Sequence, residues 1–281
     1  GHCPQLVSPD GIPFTYDFLP GAKSVATQIK ASNCPPVVIV LDCGDLERIG
    51  SLADEIIMAP QIINIDHHAT NTMFGTINWV EPRAAATAEM ILVLLQKLGI
   101  QVDLEIATCL YTGIYTDTGG FRYMNTTPET HQAAEMLLRV GVKPWYVADN
   151  VYNRKSLSQL GLVRLALERL RVSPNGFIAW ISLPYGGFGC YSDQDAGGLI
   201  NYPRMVAGAE VAVLLREANP EQVRVSFRSR SIVDVGMLAQ RFGGGGHARA
   251  AGCTIVGSML QVEDQVLAAV EKAVLEAKDD A

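Results

Sequence analysis

Two short aliphatic runs set the strongest limit on the fold. Val37-Val38-Ile39-Val40-Leu41 follows Pro35-Pro36, and Gln61-Ile62-Ile63-Asn64-Ile65 comes after it. β-Branched runs with little polar alternation are what strands buried on both faces of a parallel sheet require. Each run ends on an acid: Asp42 closes the first, and Asp66-His67-His68 closes the second. Helical spacing then covers Ala84–Leu98, stopped by Gly99, and Leu104–Tyr115, followed by a turn Thr116-Asp117-Thr118-Gly119-Gly120. Thr126-Thr127-Pro128-Glu129 reads as the start of a further helix, with proline in its first turn and a capping box from Thr126 to Glu129. That helix stops at Gly141.

Lys143–Leu170 reads as mostly helical, in two segments, and Ser173-Pro174-Asn175-Gly176 as a turn. Beyond it the pattern changes to strands over Phe177–Leu183, Ala209–Leu215 and Val223–Arg228, with helices near Val233–Arg241 and Val262–Ala277. The expectation is an α/β fold: a parallel-sheet domain over 1–150, a helical linker over 151–175 and a smaller α/β domain over 176–281.

With 281 residues and 48% hydrophobic content, the chain can bury a sizeable core. The longest apolar runs, such as Met90–Leu95, fall far short of a membrane span. Gly-His-Cys-Pro at the start has no basic-then-apolar segment. A cytoplasmic protein with no membrane partner is expected. Six cysteines with no C-x-x-C spacing read as reduced core thiols, and Trp79, Trp145 and Trp180 as core or domain-contact residues. The net charge of −7 argues against long duplex nucleic acid. Between Arg216 and Arg249, however, six arginines face three acids, so this stretch carries +3 and the remainder −10. A local basic patch on an acidic chain suits a small anion.

The acids at the strand ends carry the candidate chemistry, because open α/β sheets place ligands at the carboxyl ends of their strands. A lone aspartate there is often a cap or turn former. Two imidazoles directly after a buried strand are costly unless they are used. Asp42, Asp66-His67-His68 and Asp117 together offer a carboxylate–imidazole set that suits Mn²⁺ or Mg²⁺. A phosphoester hydrolase needs such ions to neutralise the leaving oxygen and to make hydroxide from water near neutral pH. A second constellation is Gly243-Gly244-Gly245-Gly246-His247, whose backbone N–H groups can form an anion nest. With Arg228-Ser229-Arg230 and Arg241 nearby, it reads as a phosphate or carboxylate site. The plainer alternative is a solvated strand face made by Arg224, Arg228 and Arg230. Arg122 is placed to reach a substrate phosphate.

In order, Val38–Asp42, Ile65-Asp66-His67-His68, Thr116-Asp117-Thr118-Gly119 and Gly243–His247 resemble motifs of the DHH phosphoesterases with a DHH-associated C-terminal domain. The nearest group is the bifunctional oligoribonucleases and phosphoadenosine-phosphate phosphatases. The resemblance spans essentially the whole chain, and Asp-His-His with a distant Gly-Gly-Gly-His is specific as a pair. It implies two Mn²⁺ ions, with Mg²⁺ as the alternative. Asp42 would bridge them, His67 and Asp117 would complete one, Asp66 would orient His67, and His68 would lie near the scissile phosphate. Arg228, Ser229, Gly244, Gly245, Gly246 and His247, joined by Arg230, would hold the terminal nucleotide.

The family's opening His-x-x-x-Asp-x-Asp motif has no counterpart, since Ser8-Pro9-Asp10-Gly11 runs on into Ile12-Pro13. Leu6–Pro20 instead resembles the family's second strand and following loop. The expectation is a chain that begins after the first motif and binds metal weakly. The implied activity is release of 5′-mononucleotides from short RNA, with removal of the 3′-phosphate of adenosine bisphosphate as a second activity. The implied partner is a short RNA or nucleotide, and a homodimer is compatible with it. A cyclic- or linear-dinucleotide phosphodiesterase and a non-catalytic nucleotide-binding protein are the alternatives.

Overall fold

The computed structural model describes residues 4–29, 35–185 and 198–279. The chain divides into two units, Gly1–Arg154 and Lys155–Ala281.

In the first unit β1 (Val37–Leu41), β2 (Gln61–Asp66) and β3 (Ile77–Val80) form a parallel sheet in that order, with Val38 opposite Ile62 and Asn64 opposite Asn78. Parallel pairing brings all three carboxyl ends to one edge, so Asp42 and the Asp66–His68 segment emerge side by side. One face of the sheet packs Val40 and Ile62 against Ile56 of α1 (Ala53–Ile57) and against Ile49 and Leu52 just before it. A second core joins α2 (Thr87–Lys97), α3 (Leu104–Asp117), α4 (Pro128–Val140) and α5 (Pro144–Ala148) around Leu92, Leu110, Ile114, Leu137 and Val147.

Several boundaries differ from the sequence expectation. α2 starts at Thr87 rather than Ala84, because the 84–85 backbone is committed to side chains elsewhere: Ala84 O and Ala85 O accept from His67 and Asn125, and Ala85 N–H donates to Glu89. α3 runs through Asp117, so this residue ends a helix instead of sitting in a turn. Gly119 (φ 58°) and Gly120 (φ 73°) supply the left-handed backbone that ends it. The cap of α4 is Thr127, whose hydroxyl pairs reciprocally with Thr130, one residue beyond the expected box. A π turn, Asp149–Asn153, follows α5. Leu6–Pro20 holds only a 3-10 turn at Phe14–Tyr16 and a single bridge from Val7 to Ala26 where a strand was expected.

The second unit contains α6 (Leu157–Glu168), β4 (Leu170–Val172), β5 (Ile178–Leu183), α7 (Asn201–Arg204), β6 (Val211–Asn219), β7 (Gln222–Ser229), α8 (Val235–Gln240), β8 (Gly245–His247), β9 (Ala250–Val256) and α9 (Met259–Asp279). Its sheet runs β4-β5-β6-β7-β9-β8, with β5 and β6 parallel. β6 is apolar on both sides of the pleat, and the reason is plain in the packing. Val211, Val213 and Leu215 meet Phe227, Val266 and Val270, whereas Ala212 and Leu214 meet Leu162, Ala166 and Ile181. Helices therefore cover both faces, with α6 on one and α9 on the other.

Cys43, Cys109 and Cys253 are free thiols, and burial pushes Cys253 up to about 11. Cys3, Cys34 and Cys190 lie outside the described residues. Trp180 packs on the core and donates to Glu263, but Trp145 is 67% exposed, contrary to a core role. Among the described residues no helix is long and apolar enough to cross a membrane.

Candidate functional site

The first cluster forms where β1 and β2 end. Asp42 adopts φ 58°, a left-handed conformation that aspartate tolerates better than most residues, while its N–H still donates to Ile65 O. Thr87, at the start of α2, donates its hydroxyl to Asp42 Oδ1 at 2.8 Å. His67 Nδ1 lies 3.1 Å from Ala84 O. A carbonyl can only accept, so Nδ1 carries a proton, and Nε2 is the ring atom left to face the carboxylates. That Nε2 is 3.5 Å from Asp42 Oδ1 and 3.5 Å from Asp117 Oδ2.

Asp66 does not orient His67. It pairs with His68, Oδ1 to Nδ1 at 2.6 Å. The physical reason is strand geometry: side chains two residues apart leave an extended backbone on the same side, and adjacent ones do not. Asn71 donates to the other Asp66 oxygen at 2.6 Å and to Asn64 Oδ1 at 2.8 Å, and Asp66 and Asn64 are both fully buried. Burial acts to raise the Asp66 carboxyl, but the bonds from Asn71 and His68 outweigh it and hold the group below the ordinary aspartate value. Asp117 goes the other way. Burial first, and the negative charge of Asp42 second, push it up to about 6.

The donor chemistry fits a divalent cation. Asp42, His67 and His68 each offer a ligand atom within 4.8 Å of the others, and Asp117 joins through His67. A cation would offset the Asp42–Asp117 repulsion, and both rings have Nδ1 turned to a fixed oxygen, as metal-binding imidazoles usually do. Arg122 is turned to its own loop and to Tyr152, with Nε donating to Gly119 O at 2.6 Å and its guanidinium 5.8 Å from the Tyr152 ring centre. The sequence reading missed Asn64, Asn71, Thr87 and Tyr16. Burial raises the Tyr16 phenol, which bonds Thr116 and lies in the field of Asp117.

The second cluster is built in the other unit, at the end of β7. Arg228 is half-buried, with Nη1 donating to Phe227 O, and Ser229 is 4% exposed, its hydroxyl donating to Ala248 O. Arg230 departs from the phosphate-site expectation. Its guanidinium caps backbone carbonyls at and after the end of α7, reaching Ala209 O at 3.1 Å, Val206 O at 3.3 Å and Arg204 O at 3.4 Å. Arg249, not singled out in the sequence, donates to Ser229 Oγ at 3.3 Å and Val233 O at 2.8 Å. Glu210 ties down the turn after Arg230 by accepting from the N–H groups of Ser231, Ile232 and Val233.

The glycine run is not an open nest. Gly244 N–H donates to Ala239 O, and Gly245–His247 pairs antiparallel with β9. The glycines are needed for close approach: a Cβ on Gly246 would overlap the carbonyl of Ala250 and the Cα of Ala251. His247 then stands in strand register opposite Ala250.

Comparison with known proteins agrees with both halves. The DHH family N-terminal domain matches residues 9–114, and the DHHA1 domain matches residues 188–276. A bifunctional oligoribonuclease and PAP phosphatase NrnA of Thermus thermophilus is 37% identical over 256 residues, which is 91% of this chain and 76% of the relative. The Bacillus subtilis protein of the same name is 30% identical over 78% of this chain and 70% of its own length. An uncharacterized Mycoplasma pneumoniae protein is 30% identical over 76% of this chain and 65% of its own length. The chain thus spans between 65% and 76% of these relatives. The crystal structure of an exopolyphosphatase-related protein from Bacteroides fragilis superposes with a TM-score of 0.83 at 29% identity, covering 97% of this chain and 83% of the other. With a DHH domain followed by a DHHA1 domain, and with that Thermus relative similar along most of both chains, the chain belongs to the DHH family.

Proposed function

We propose that this chain is a Mn²⁺-dependent phosphoesterase that releases 5′-mononucleotides from short oligoribonucleotides and removes the 3′-phosphate of adenosine 3′,5′-bisphosphate. The names of the Thermus and Bacillus relatives support the substrate class. The observation that carries the reading is His67, its Nδ1 proton held by Ala84 O and its Nε2 equidistant from two carboxylates. Asp42, His67 and Asp117 would hold the metal, which when bound supplies positive charge at the phosphate and activation of water.

His68 has a different task. Its Nδ1 is held at 2.6 Å by the buried Asp66 carboxylate, which fixes the ring beside the metal-binding residues, where it would meet the scissile phosphate. Asn71 and Asn64 keep the Asp66 carboxylate in register for that bond. In the second unit Arg228, Ser229, His247 and Arg249 would hold the nucleotide, with Arg230 acting only through the backbone it caps.

The test is mononucleotide release from a two-nucleotide RNA with and without Mn²⁺, on this chain and on Asp42→Ala. The expected result is metal-dependent release that Asp42→Ala abolishes. Nucleotide binding with no turnover at any metal concentration would favour a non-catalytic binding protein instead.

A further inference from the structure

We infer that Asn125 is a positioning residue of the metal centre, its single amide tying together the two backbone segments that aim His67 and Asp117. The inference rests on reading Asp42, His67 and Asp117 as the metal-holding group. Asn125 Nδ2 donates to Ala85 O at 2.9 Å and to Asp117 O at 3.1 Å. The first carbonyl belongs to the residue after Ala84, whose own carbonyl fixes the His67 proton at 3.1 Å. The same residue's N–H is held by Glu89 Oε2 at 3.0 Å, so the Ala84–Ala85 peptide is clamped from both sides. The second carbonyl belongs to Asp117 itself, the last residue of α3, where the helix leaves its terminal carbonyls without intrahelical donors.

The orientation of the amide is decided by chemistry. Turning it over would set Oδ1 against two carbonyl oxygens, so both N–H groups must point at them. With the amide held this way, Asn125 Oδ1 is buried without a partner, as is the hydroxyl of the adjacent Thr126. Buried acceptors are rarely left so, and such exceptions gather where a fold keeps a site in place. Asn125 touches none of the metal-holding side-chain atoms in these bonds. Its action is on where their backbones stand.

Mn²⁺ affinity, measured calorimetrically on metal-free protein, and the ring ¹⁵N shifts of His67 together test this. Asn125→Ala removes the amide, and Asn125→Asp keeps its shape while replacing both donors with acceptors. Each is expected to weaken Mn²⁺ binding by about tenfold or more and to shift His67 away from the Nδ1–H tautomer. Asn150→Ala, which removes a part-buried amide from the π turn, reports the effect of loosening alone and should do neither. If Asn125→Ala does not fold, Asn125→Asp decides. Unchanged affinity and tautomer in the Asn125 variants, with affinity lost in His67→Ala, would overturn the role of Asn125 and leave the metal site standing. Unchanged affinity in His67→Ala would overturn the metal site as well.

Discussion

Asp42 shows how a single side chain is held for use in this protein: a left-handed backbone sets its direction, and the Thr87 hydroxyl fixes one oxygen at 2.8 Å. Thr87→Val keeps the shape and removes the donor. We expect about tenfold weaker Mn²⁺ binding, since outer partners of ligands typically matter by that much, and titration of the metal-free protein would show it. An unchanged affinity would mean that Asp42 is held by its backbone alone. Glu210 is the counterpart in the second unit. Burial acts to raise its carboxyl, but donation from Ser231, Val233 and Ile232 outweighs this and holds it below the ordinary glutamate value. A depressed folded-state pKa contributes stability that is full above the unfolded value, about 4.3, and is lost as the pH falls through the folded one. Glu210→Gln should therefore cost about 2 kcal/mol near neutrality, and the gap to wild type should close in urea titrations run at progressively lower pH. That Asp42, His67 and Asp117 come together was legible only from their combination: a lone aspartate reads as a cap or turn former, and the paired imidazoles after β2 gave the three acidic positions a common purpose. Asn64, Asn71 and Arg249 were not legible, because an amide or an arginine in sequence carries no sign of which carbonyl it will meet.

At the level of elements, the glycine run is the sharpest case of a local pattern whose form differs from its sequence reading. Four glycines suggested a loop, since such a run has no alternation to mark a strand. β8 nevertheless forms there because β9 comes so close that side chains are excluded at particular positions. The positions separate cleanly. Gly246 has φ 143° and no room for a Cβ, whereas Gly245 has nothing within 4 Å of that position. Gly246→Ala should destabilise the protein by about 1–3 kcal/mol and weaken nucleotide binding, and Gly245→Ala should leave stability within about 0.5 kcal/mol of wild type. Equal melting temperatures for the two variants would contradict the close β8–β9 approach. The apolar strands β2 and β6 were legible because burial on both faces removes polar alternation, whereas β1, equally apolar in sequence, leaves Val37, Ile39 and Leu41 exposed, contrary to the expectation of a strand buried on both faces. β4 and β8 were too short to show a period, and the start of α2 was set by bonds to residues far along the chain.

For the molecule as a whole, the charge distribution tests the proposed short-RNA substrate. The stretch 216–249 carries +3 and the rest −10. Binding to a single strand weakens with salt in proportion to the phosphates neutralised, with a log–log slope near −0.7 per phosphate. A patch of this size engages about two phosphates, so the slope for a dinucleotide should be about −1.4. A chain with a long basic groove would show a steeper slope as the RNA is lengthened, because each added nucleotide finds a further cation. Here added nucleotides find a net acidic protein. Fluorescence titrations of a labelled dinucleotide and a much longer RNA across a range of KCl concentrations should give the same slope, with affinity no greater for the longer strand. A slope that steepens with length would point to a basic track outside residues 216–249 and would count against the proposed short-RNA substrate.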